Sequence, residues 1–137
     1  MRSTARFGCE TARKRSVVVG GLRLSFLEWG NVGRPTVCFL HGGSAHAHWF
    51  DRVTPAFVDR FHVIALDQRG HGESQWAEPP AYATENFAAD LVGFLDALGL
   101  ARVTLVEIPA SYHHLVLDNP EAFVSELDRF LSATLLA

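Results

Sequence analysis

Histidine is the side chain whose charge changes near neutral pH, and its neutral ring is a ready metal ligand. This sequence carries seven: His41, His46, His48, His62, His71, His113 and His114. Two close pairs stand out, His46-Ala47-His48 and His113-His114. Neutral imidazoles joined by a carboxylate such as Asp67 are the ligand types zinc prefers. A zinc ion with one open position lowers the pKa of bound water to about 7 and so makes a hydroxide nucleophile. The spacing alone does not fix such a site. His46 and His48 flank one residue in a loop, unlike i, i+4 histidines on a helix, and read either as ligands or as pocket lining. His113 and His114 are adjacent and point opposite ways in extended chain, so His114 reads equally as a packing residue. His41 and His71 fall in turns rich in glycine and have local hydrogen-bonding readings, His62 lies inside an apolar strand, and Asp67 reads as an anchor of its loop through backbone amides or as a ligand.

These residues need elements to hold them. Val, Leu and Phe in Ser16 to Gly20 and in Leu22 to Trp29 predict two short strands around the Gly20-Gly21 turn. Thr36 to Leu40 and Phe61 to Leu66 are continuous apolar runs, the pattern of strands buried on both faces. Trp49 to Val58 reads as a short helix. Thr84 is a candidate N-cap for a helix from Glu85 to Leu98, with Phe87, Leu91, Phe94, Leu95 and Leu98 on one stripe and Gly99 ending it. Arg102 to Val106 is a fifth strand. Asn119 caps a last helix with Pro120 at its first position and Phe123, Leu127, Phe130 and Leu131 inward. Strands alternating with helices predict an α/β fold with a mostly parallel sheet of about five strands and flanking helices. The chain divides into a basic tail, residues 1–15, expected to be unstructured, and one domain, residues 16–137.

Charge narrows the function classes. Five of the 12 cations lie in the first fifteen residues, so from Ser16 onward seven cations face fourteen acids. An acidic body argues against nucleic acid as a partner. No apolar run is long enough to span a bilayer, and the basic start lacks the apolar stretch of a secretory signal. Cys9 and Cys38 form no disulfide framework, which makes a reducing cytoplasm the expected location.

Two motifs carry a family resemblance. Leu40-His41-Gly42-Gly43 is similar to the oxyanion turn after the third strand of the α/β-hydrolase family. Asp67-Gln68-Arg69-Gly70-His71-Gly72-Glu73-Ser74 is similar to that family's D-x-R-G-x-G-x-S loop after the fourth. The octet is specific; the His-Gly pair alone is weak. Ile108 to Phe123 resembles the family's ending, with His113 in the place of its histidine and Asp118-Asn119-Pro120-Glu121-Ala122-Phe123 opening the last helix. The G-x-S-x-G nucleophile elbow that the fifth strand leads into occurs nowhere in the sequence. Between the two blocks the elbow, the lid region and the acid-bearing strands are absent, so a serine triad cannot assemble in the family's way.

The resemblance implies that the third strand lies between the fourth and fifth, and that all three end at one ligand-binding edge. Three functions follow as expectations. The first is a zinc-dependent hydrolase of activated esters, lactones or phosphotriesters, with His46, His48 and His113 as ligands and His114 or Asp67 as a further one. There the Gly43 and Ser44 amides would face the developing oxyanion. The second is a catalytically inert module for binding or assembly. The third is metal-free hydrolysis through Ser44 or His113. Glu107 is either a replacement acid or a solvated side chain, and Trp49 and Trp76 are pocket walls. The unpaired edge Val103 to Val106 predicts a homodimer.

Overall fold

The computed structural model describes residues 11–101, residue 103 and residues 120–135. Four strands, β1 (Arg13–Val19), β2 (Leu22–Trp29), β3 (Thr36–Leu40) and β4 (His62–Leu66), make one sheet in the order β1-β2-β4-β3. The β1–β2 hairpin turns at Gly20 and Gly21, both with positive φ. β2 pairs antiparallel with β4, and only β3 with β4 is parallel. The expectation of a mostly parallel sheet is therefore corrected for the described strands. The hairpin contributes an antiparallel pair, and β2 then meets β4 head to tail. The expected fifth strand, apart from Val103, lies outside the described residues, as do Asn119 and the edge on which the homodimer expectation rests.

The first strand also begins earlier than expected. Arg13, Lys14 and Arg15 belong to β1 and not to a tail. The cause lies on the neighbouring strand, where buried Glu28 accepts hydrogen bonds from Arg13 Nε (3.3 Å) and Arg15 Nη1 (3.2 Å). The basic residues are ordered by a carboxylate that has to be neutralised to be buried.

Alternation along the strands sorts side chains to two faces. Leu24, Phe26, Cys38, Ile64 and Leu66 face helix α1 (Thr84–Ala97), where the Phe94 ring meets Phe26 edge-on at 5.0 Å. Leu27, Trp29, Val37, Phe39, Val63 and Ala65 face helix α2 (Pro120–Leu135), which buries Phe123, Leu127 and Leu131. Phe130 was expected inward too, but it is exposed. The buried set is spaced i, i+4, i+8, and position 130 falls beside that stripe.

The expected helix over Trp49 to Val58 is instead two 3₁₀ turns, Ala47–Phe50 and Thr54–Ala56. Pro55 has no amide hydrogen to continue a helical ladder and its ring disfavours helical backbone before it. Thr84 is the first helical residue and not the cap; Asn86 Oδ1 reaches back to accept the Ala83 amide at 2.9 Å. Among the described residues, no helix is long and apolar enough to cross a membrane.

Candidate functional site

Because β3 and β4 are parallel with Leu40 opposite Leu66, the next residues, His41 and Asp67, leave the sheet side by side. Both are buried. Asp67 Oδ1 accepts the Ala47 amide at 2.7 Å and Oδ2 accepts the Glu73 amide at 3.0 Å. One carboxylate thus ties the loop after β3 to the loop after β4. Gly72 lets the backbone close over it, since a Cβ there would stand 2.3 Å from the Asp67 carboxyl carbon.

His41 forms a second tie. Its Nε2 lies 3.0 Å from the Gln68 amide, which can only donate, so Nδ1 carries the proton and donates to the Gly42 carbonyl at 2.8 Å. Burial pushes the imidazole below its ordinary range; the Gly42 bond opposes this without reversing it. Both ring nitrogens are spent inside the protein, as the local reading of His41 expected. His71 donates from Nδ1 to the Arg69 carbonyl at 2.9 Å, with its ring 4.9 Å from that of His41. Arg69 in turn grips Asp90 of α1 through two 2.7 Å hydrogen bonds. His62, deep in β4, bonds Glu28 and Thr36 and lies away from this edge.

Between the two ties the turn Gly42-Gly43-Ser44 stands in solvent. Among the described residues Ser44 is the one non-glycine with positive φ, at 60°, and neither its amide nor its hydroxyl has a hydrogen-bond partner there. Holding an L-residue in this region costs about 1 kcal/mol. The flanking buried contacts impose it, through His41 on one side and the Ala47–Asp67 bond on the other.

His46 and His48 follow on the same loop, both exposed, with ring centroids 6.1 Å apart. His46 also lies 6.5 Å from the Trp49 ring. His48 Nδ1 sits 2.9 Å from Asp51 Oδ2 and donates to it, so in the neutral ring the lone pair is on Nε2. Asp51 was not anticipated, although an i, i+3 spacing across a helical turn is a readable signal. Of the expected ligands, His46 and His48 are neighbours. Asp67 is withdrawn from the set, because both its oxygens already hold backbone amides. Among the described residues no group of three histidine, cysteine or acidic side chains is placed to hold a metal ion. His113, His114 and Glu107 lie outside the described residues. Trp76 is exposed on the loop after β4, and Tyr82 of the same loop accepts the Ala77 amide at 2.9 Å.

A family profile of the α/β hydrolase fold matches residues 35–106, which span β3, β4, both ties and α1. The chain belongs to the α/β-hydrolase fold family. Epoxide hydrolase A of Mycobacterium tuberculosis is 40% identical over 95 residues, covering 68% of this chain and 30% of that protein. A 2-(acetamidomethylene)succinate hydrolase of Mesorhizobium japonicum is 34% identical over 92 residues, 67% of this chain and 32% of its own length. Among solved structures, epoxide hydrolase A of Mycobacterium thermoresistibile superposes with a TM-score of 0.63 at 39% identity, covering 69% of this chain and 30% of that one. A membrane phospholipase A superposes at 0.68 with 31% identity, covering 72% and 32%. The α/β-hydrolase likeness thus spans about a third of the length of these relatives.

Proposed function

We propose that the chain hydrolyses activated esters or lactones, with the Gly43-Ser44 turn polarising the substrate carbonyl. The observation that carries this reading is Ser44: a strained, exposed backbone position whose amide has no partner among the described residues, fixed between two buried ties. Amides held in advance where negative charge develops need no reorganisation when it forms, and one such donor is worth about 3 kcal/mol. The relatives are named for hydrolysis of an epoxide, of an acetamidomethylene succinate and of phospholipid. This suits an oxyanion turn adapted to several substrates.

A second reading adds a zinc ion that His46, His48 and His113 would hold and that would lower the pKa of water, supplying a nucleophile for an ester or a phosphotriester. The contact favouring it is Asp51 on His48 Nδ1, since metal-bound histidines almost always donate their second ring nitrogen to such an acceptor.

Hydrolysis of 4-nitrophenyl acetate by the purified chain tests both. Ser44→Ala should keep most of the rate, because only the amide is needed. Replacing Ser44 by its α-hydroxy analogue, which puts an ester oxygen in place of the amide N–H without restricting φ, should lose about 100-fold. An inactive Ser44→Ala would make the hydroxyl the nucleophile instead. Loss of the rate in chelator, restored by Zn²⁺, would select the zinc reading. No rate above buffer would leave a binding or assembly module.

A further inference from the structure

Away from the site, a polar chain crosses all four strands in their spatial order. On β1, Arg13 Nε and Arg15 Nη1 donate to the Glu28 carboxylate of β2 at 3.2–3.3 Å. The other side of that carboxylate accepts His62 Nε2 of β4 at 2.8 Å, and His62 Nδ1 meets Thr36 Oγ1 of β3 at 3.0 Å. Glu28 and His62 are each 3% exposed. Helix α1 packs Leu91, Phe94, Leu95 and Leu98 on this face, its buried Asp90 is held by Arg69, and the Arg15 guanidinium lies over the Phe26 ring. Among the described residues the charged and titratable groups meeting Glu28 are Arg13, Arg15 and His62.

We propose that Glu28 is an acid-operated latch that holds β1 to the sheet and releases it before the rest of the domain unfolds. One buried carboxylate accepts from two guanidiniums of β1. Protonation of Glu28 removes the negative charge that both guanidiniums face. Burial acts to raise the Glu28 pKa, but the bonds from His62 and Arg15 outweigh it and hold the carboxyl below its ordinary range, so the latch stays shut until the medium is acidic. β1 is the element that yields because it is an edge strand paired only with β2. Its residues are exposed except for half-buried Val17 and Val19. β2, β3 and β4 carry the buried core and remain. Release also parts Lys14 from Glu73 (2.6 Å), the tie between β1 and the loop after β4, so acid loosens the site's edge from a distance.

Hydrogen exchange followed by mass spectrometry on the full chain, corrected for the intrinsic effect of pH, tests this. Residues 13–19 should lose about threefold protection between pH 7 and pH 4 and about tenfold by pH 3, while residues 62–66 keep theirs. Glu28→Gln should show the open β1 already at pH 7. Should that variant fail to fold, Arg15→Gln, whose side chain is half exposed, should speed exchange in β1 and weaken its pH dependence. Loss of protection in β1 and β4 together at every pH, or a β1 indifferent to pH, would overturn the latch.

Discussion

The loops after β3 and after β4 leave the same sheet edge at the same register, yet they are built to opposite ends. In the loop after β4 the polar groups are largely consumed by the fold. Asp67 holds two amides, Ser74 Oγ bridges the Ser25 amide (2.8 Å) and the Asp67 carbonyl (2.5 Å), and Arg69 clamps Asp90. The loop after β3 is tied through His41 and the Ala47–Asp67 bond and leaves Ser44, His46 and His48 outward. The octet that identifies the family is thus scaffold, and the less distinctive His-Gly turn is where chemistry can happen. Specificity of a motif and proximity to chemistry are separate properties.

The largest expected effect comes from cutting the tie that makes the two loops one unit. Asp67→Ala leaves the buried Ala47 amide and the part-buried Glu73 amide without their acceptor and should destabilise the chain by about 3 kcal/mol, read from urea unfolding. A loss below about 1 kcal/mol would mean the loops are independent. Gly72→Ala drives a methyl into the same carboxylate at a left-handed position (φ 52°) and should cost about 2 kcal/mol. If the account is right, its effect shrinks when Asp67 is already alanine, because the two residues share one contact.

A smaller effect appears in the pH dependence of stability. The folded pKa of His41 lies below the ordinary 6.5, chiefly because the ring is buried. Its contribution is therefore present above that ordinary value and lost as pH falls from there towards the folded pKa, since the unfolded chain takes the proton first. His41→Gln should flatten stability between pH 7 and pH 5, whatever it does to the absolute value. An unchanged slope would mean that the ring does not stay neutral in the folded state.

The sequence was most legible where one signal acts alone. The apolar runs Leu22–Trp29 and Thr36–Leu40 appear as strands with the expected limits, and the spacing of Phe123, Leu127 and Leu131 placed the last helix. It was least legible where partners come from elsewhere in the chain. Arg13 to Arg15 look like a solvated tail until Glu28, on the next strand, is seen to be buried beside them. Asp67 reads as an anchor or as a ligand, and only the fold shows which amides it anchors, those of Ala47 and Glu73. At the site, His41 and Gly43 were readable from the family turn, and the rigidity that bears on Ser44 was not. That rigidity is a consequence of contacts 20 residues apart in the chain.

The central claim is that the Gly43-Ser44 turn is a preformed acceptor of negative charge on oxygen. Its most direct measurement is a ¹⁵N–¹H NMR titration of the full chain with ethyl phenylphosphonate, a tetrahedral anion resembling the intermediate of ester hydrolysis. The account predicts a saturable downfield shift of the Ser44 amide, accompanied by Gly43 and larger than at any other amide. It predicts the same response in Ser44→Ala, where position 44 keeps its amide. Unmoved amides at 43 and 44, with the largest shifts elsewhere on the molecule, would contradict it.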